Sequence, residues 1–64
     1  MKEQWLNSKE SWDKIMAMGV TEWTPGEMGT GTFFLETPSG IKKVNEGDWI
    51  IKTNDGNFFI AAKK

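Results

Sequence analysis

Two patterns of apolar positions divide the chain, and the change from one to the other falls near residue 20. Ahead of it, Trp5, Trp12, Ile15, Met16 and Met18 fall on one broad side of a helical repeat, with Lys9, Glu10, Asp13 and Lys14 on the other. That spacing predicts one N-terminal amphipathic helix within 7–19, running from Ser8 to about Met18. Asn7 suits the N-cap, and Glu10, three residues on, can reach back in the manner of a capping box. Gly19 suits the left-handed position beyond the last turn, with Val20 as the apolar contact after it. Residues 1–6 either extend the helix by a turn or lie loosely.

Beyond residue 20 the runs are short and β-rich. Val20-Thr21-Glu22-Trp23 alternates as a short edge strand, and Thr24–Gly31, with three glycines and a proline, reads as a loop. Strands are predicted at Thr32–Thr37, Ile41–Val44, Trp49–Thr53 and Phe58–Ala62. Pro38-Ser39-Gly40 suits a type I turn with a bulge. Asn54-Asp55-Gly56-Asn57 carries the Asp-Gly pair that marks hairpins. No crossover helices separate these strands, so 20–62 is expected to form an antiparallel meander of 3–5 strands. The chain reads as one α+β domain over 1–64, with the helix packed on the sheet.

Within the strands, apolar residues stand side by side instead of alternating: Phe33-Phe34-Leu35, Trp49-Ile50-Ile51 and Phe58-Phe59-Ile60. Both faces therefore want cover, and one short helix covers one face. The other is expected either to close on itself as a small barrel or to meet a second copy of the chain. Length bears on that choice. A chain of 64 residues buries only about 60% of its unfolded surface, and small domains commonly add disulfides, a metal or a partner subunit. With no Cys and no His, the first is impossible and a conventional zinc site nearly so. Four Trp and four Phe supply a rich core, and the lean is to a homodimer.

The same composition narrows the chemistry. Thiol catalysis is excluded, as is histidine as a general base. Glu46, Asp48 and Asp55 fall in predicted turns, where Asp has a local backbone role. Gly26–Gly31 lacks the Lys-Ser/Thr ending of a phosphate loop and leads into a strand. With no Arg and a net charge of −1, nucleic acid is not expected as a partner, and the charge is too small to imitate a duplex. No apolar run reaches the ~20 residues of a membrane span, and the first residues do not read as a secretory signal. No enzyme activity, cofactor or metal is expected. Trp23 and Met28 are the apolar residues least easily placed inside, and exposed Trp and Met suit binding surfaces. Trp12 and Trp49 read most simply as core. The candidate binding residues are Trp23, Met28, Gly29 and Gly31 around the loop, with Trp49 and Lys52 from the following strands. Trp23 has a structural reading too, as the cap on an open end of the sheet.

Val44-Asn45-Glu46-Gly47-Asp48-Trp49-Ile50-Ile51 resembles the V-x-x-G-D-W-I-I motif of a family of short bacteriophage proteins, in which a polar glycine turn and an aromatic strand follow. Asn54-Asp55-Gly56-Asn57-Phe58-Phe59 stands in that place here. Leu35–Gly40 is similar to the family's strand and tight turn before the motif, and the helix also corresponds. Glu46 replaces a proline common in the family, and Lys63-Lys64 stand where many members continue into an acidic, aromatic tail. The resemblance implies a viral protein acting in the host bacterial cytoplasm. Small phage proteins often bind and disable a host protein, antiviral-defence factors included. The expected function is thus a non-enzymatic interaction protein that inhibits a host or defence protein. The alternative is a small-molecule sponge, in which Trp23, Met28 and the glycine loop close over a nucleotide-like signal.

Overall fold

Helix α1 (Lys9–Met16) begins one residue later than the capping pattern predicts. Asn7 takes a left-handed backbone, φ 53°, and Ser8, extended at φ −134° and ψ 155°, is the N-cap. Ser8 Oγ accepts the Ser11 N–H at 3.1 Å, and Ser11 Oγ accepts the Ser8 N–H at 3.3 Å. The reciprocal box is therefore Ser8–Ser11, not Asn7–Glu10. Ser11 is buried, whereas Glu10 is exposed and faces Lys14. The helix stops at Met16, and Gly19 takes the expected left-handed backbone (φ 96°) after the closing turn.

The computed structural model describes residues 1–26 and 29–62. Around α1 it places six strands: β1 (Lys2–Gln4), β2 (Trp23–Pro25), β3 (Phe33–Thr37), β4 (Gly40–Val44), β5 (Trp49–Lys52) and β6 (Phe58–Ala61). They form two antiparallel three-stranded sheets, ordered β1-β5-β6 and β2-β3-β4. The class is α+β, as expected, but three details differ. Residues 2–4 are neither loose nor helical, because they pair along β5 with Lys2 opposite Ile51 and Gln4 opposite Trp49. A strand thus precedes the helix. The single meander is instead two sheets, with no ladder joining them among the described residues, so no barrel closes. Finally, the edge strand expected at 20–23 lies at Trp23–Pro25, two residues into the predicted loop, where Pro25 is tolerated because an edge strand has one unpaired side.

Both sheets and the helix contribute to one core: Trp5, Ile15, Met18, Val20, Phe33, Leu35, Val44 and Ile50. Ile15, Leu35, Val44 and Ile50 are its fully buried members. The sheets meet at the β4–β5 corner, Asn45–Asp48, where the sequence motif lies. Asp48 N–H donates to the Asn45 carbonyl at 3.0 Å, and the buried Asp48 carboxylate accepts the Asn45 N–H at 2.9 Å. The chain after β1 clamps this corner from outside. Gly47 N–H donates to the Trp5 carbonyl (2.6 Å), Trp5 N–H to the Asp48 carbonyl (2.9 Å), and Gln4 Nε2 to the Gly47 carbonyl (2.9 Å).

The β5–β6 hairpin follows the Asp-Gly signal. Gly56, at φ 87°, donates to the Thr53 carbonyl at 3.0 Å, and Thr53 N–H to the Asn57 carbonyl at 2.9 Å. A type I turn followed by a left-handed glycine is the usual three-residue hairpin loop. Asp55 accepts from the Thr53 hydroxyl and from Asn57 Nδ2 (3.2 Å).

Two predictions follow from these turns. Asp48→Ala leaves the Asn45 N–H without its acceptor and is expected to cost about 1–3 kcal/mol. Urea unfolding measures it, and an unchanged midpoint would show that the carboxylate does not hold the corner. The Thr53 hydroxyl, chiefly, holds the Asp55 carboxyl below the ordinary 3.8. A depressed folded-state value stabilises the fold above the unfolded-state pKa, and the contribution is lost as pH falls through the folded value. An NMR titration should place the Asp55 midpoint below 3.8, and Thr53→Ala should move it upward.

Candidate functional site

Trp23 sits on the inner face of β2, directly opposite Leu35. It is 42% exposed, but its ring is not free. It meets Trp12 edge-on, with centroids 4.7 Å apart. Trp12 in turn packs against Phe33 at 5.1 Å and Trp5 at 5.7 Å, both edge-on. Edge-to-face pairs of this kind add about 0.5–1.5 kcal/mol beyond area burial. Trp23 therefore ends an aromatic row that begins in the core, in keeping with its structural reading as a cap.

The loop glycines are placed differently from one another. Gly29 is exposed. Gly31 has φ 67°, its carbonyl accepts the Trp5 indole N–H, and a Cβ there would stand 2.6 Å from Asn7 Nδ2. It is glycine because the backbone passes close against the helix N-terminus. Met28 lies outside the described residues.

Lys52 is committed to the fold. Its Nζ donates to the Met18 carbonyl at 2.7 Å and stands 5.8 Å from the Phe58 ring centroid. A cation there meets the unpaired carbonyl end of the turn that closes the helix. Trp49 is not a core residue. Ile50, next to it, is fully buried, so by strand alternation Trp49 points to the opposite face of its sheet, where it is half-buried with Lys2 Nζ 5.1 Å from its ring centroid. The described candidates therefore do not converge on one pocket. Trp23 and Gly31 belong to the aromatic row, Lys52 to the helix end, and Trp49 to an outer surface.

On that outer surface the doubled apolar residues of the strands take definite places. On sheet β1-β5-β6 the rows Lys2–Ile51–Phe59 and Gln4–Trp49–Ala61 share the face turned away from Ile50 and Ile60. Phe59 is 41% exposed, and Trp49, Ile51 and Ala61 are half-buried. Trp49 also borders an open cleft of about 300 Å³ that it shares with Gln4, Leu6, Glu10 and Lys14, so the helix flanks one end of this face. The signal for it was present in the consecutive apolar residues of β5 and β6.

Two further open clefts are lined by described residues. One, about 390 Å³, lies between Gly19–Glu22, the end of β3 and the β5–β6 turn, with Glu22 and Glu36 among its lining residues. The other, about 350 Å³, lies between β4 and β6, with Lys42 and Lys43 on the β4 side. The ion pairs Lys9–Asp13 (2.7 Å) and Lys14–Glu10 (3.5 Å) are exposed helix pairs one turn apart, where solvent screens the attraction. Among the described residues, no group of three or more acidic residues is gathered as a metal site, and no helix is long and apolar enough to cross a membrane. Comparison with protein families, curated proteins and solved structures returns no match.

If Lys52 serves the helix end, Lys52→Met removes a charge-assisted bond and leaves the Met18 carbonyl unpaired. The expected loss is about 1–3 kcal/mol, read from the thermal or urea transition. A Met variant as stable as the parent would free Lys52 for another role.

Proposed function

We propose that this chain is a non-enzymatic interaction protein of bacteriophage origin, which works as a homodimer and inhibits a host or antiviral-defence protein in the bacterial cytoplasm. The observation that carries the reading is the partly exposed apolar row on the outer face of sheet β1-β5-β6, centred on Ile51, Phe59 and Trp49. The inner face of that sheet already meets the core through Ile50, and on the outer one Phe59 stays 41% exposed. A second copy related by a two-fold axis would bring Phe59 and Ile51 against their own counterparts, the self-complementary arrangement usual in small homodimers. A domain this small gains most from such burial.

The phage origin rests on the Val44–Ile51 motif, and the positions of its residues give that motif a physical sense. Val44 and Ile50 fill the core, Gly47 and Asp48 form the clamped corner, and Trp49 and Ile51 project onto the outer face. The non-enzymatic reading is supported by residue type: the chain has no Cys or His, and Asp48 and Asp55 are engaged in turns. The nucleotide-sponge reading gains no support from Trp23, whose ring rests on Trp12.

Sedimentation velocity on the purified chain tests the dimer. The parent is expected at twice the chain mass. Phe59→Asp, at an exposed position, is expected at the chain mass with its circular-dichroism spectrum retained. A parent that stays monomeric would refute the dimer. Affinity capture from a bacterial host lysate tests the inhibitor reading, with one partner retained in stoichiometric amount as the expected outcome and no retained partner as the refuting one.

A further inference from the structure

The cleft between β4 and β6 separates the last strand of one sheet from the last strand of the other. Each of these strands has one side with no ladder partner among the described residues. Unpaired strand sides are templates for another extended chain, and proteins commonly guard them with lysine. What sits on the two sides here is specific. In β4, Lys42 is opposite Leu35, on the inner face, and Lys43 is opposite Phe34, on the outer face. In β6, Ile60 is opposite the buried Ile50, on the inner face, and Phe59 is on the outer face. Each face of the gap thus has one lysine on the β4 side and one large apolar side chain on the β6 side. Lys42 is exposed although it stands at an inner-face position beside a residue that is 1% exposed. The opposite sheet does not reach over it. Neither lysine makes an ion pair among the described residues.

We propose that this gap is a strand-addition site for an extended acidic segment of a partner protein, which pairs its backbone with β4 and sets consecutive carboxylates against Lys42 and Lys43. The proposal rests on reading the chain as an interaction protein and names the chemistry of its partner. Main-chain bonds to the strand side supply affinity in this mode, and alternate side chains supply specificity. β4 has five residues and β6 four, so the inserted stretch is about four residues, or ~13 Å at ~3.3 Å per residue. Two adjacent acids meet the two lysines because neighbouring strand residues point to opposite faces. Flanking β-branched residues lie against Phe59 and Ile60. Asp48 borders the gap, with its carboxylate accepting the Asn45 N–H.

A random-octapeptide display selection against the full chain tests this. The expected winners carry two adjacent Asp or Glu among Val, Ile or Thr. A synthetic winner should bind at least tenfold more weakly to Lys42→Glu and to Lys43→Glu, a change of about 1.4 kcal/mol. N-methylation of alternate backbone amides should abolish its binding. Both lysines are exposed, and an unchanged melting transition confirms that the variants fold. No enrichment, winners without adjacent acids, or affinity unaffected by the lysine variants would overturn the proposal. So would an oligothymidine strand that binds the parent and competes with the winner, which would make the gap a phosphate site. If the lysine variants capture a lysate partner as well as the parent does, the strand-addition site fails while the interaction reading stands. If neither peptide nor partner binds, both fail.

Discussion

The side chain and backbone of Trp5 join every part of this small domain. Its N–H and carbonyl bind Asp48 and Gly47 at the corner where the two sheets meet. Its indole N–H is satisfied by the Gly31 carbonyl ahead of β3. Its ring packs edge-on against Trp12 of the helix and Phe33 of β3, the latter at 5.3 Å. A buried indole with an unsatisfied N–H would be costly, so the close passage of Gly31 is a condition for Trp5 to lie inside at all. The corner, the helix and the second sheet are thereby tied together at one residue, in a chain with no Cys to form a disulfide.

Once that residue is in place, the apolar content of the strands divides unequally. Phe33, Leu35, Val44 and Ile50 are consumed by the core, whereas Phe34, Ile51 and Phe59, one position away, face outward. Ile41 is 69% exposed on β4. Scattered exposed apolar residues are ordinary. A contiguous row on one sheet face is less so, and that row lies on β5 and β6, not around the glycine loop. The basic gap between β4 and β6 lies beside that row, and Phe59 borders both. Dimerisation and partner binding would therefore share a side chain and be coupled through it.

Much of the fold was legible from residue patterns because its signals are local. The helix follows from the spacing of Trp12, Ile15 and Met16, and the Asp55-Gly56 and Pro38-Ser39 turns from their own conformational limits. Strands β3 to β6 were placed to within a residue or two for the same reason. What was not legible depends on distant partners. Lys2-Glu3-Gln4 carries no apolar alternation, and only pairing with β5 makes it a strand. Trp5 looks like a helix-face residue by spacing, yet it acts from outside the helix. The N-cap moved from Asn7 to Ser8 because a buried Ser11 binds back better than a solvated Glu10. For the site, exposure of Trp23 was legible, but its engagement by Trp12 was not. Lys52 gave no sign that it would bind the Met18 carbonyl. The outer face was visible only as doubled apolar residues, with no indication of which residue of each pair would point inward.

The pairing of β1 with β5 also sets the order in which the molecule assembles. Gln4 and the corner it clamps are 43 positions apart, so closing that contact requires ordering a loop containing most of the chain. Local hairpins such as β3–β4 and β5–β6 form on microsecond scales, whereas folds dominated by distant pairings complete in milliseconds to seconds. As the chain is synthesised, residues 2–4 emerge well before β5 and must wait, unpaired, until it has followed them. Their polar composition is what makes that wait safe: a strand of Lys, Glu and Gln offers little for a neighbouring nascent chain to stick to. The segment whose identity is hardest to read is thus the one whose pairing must come last.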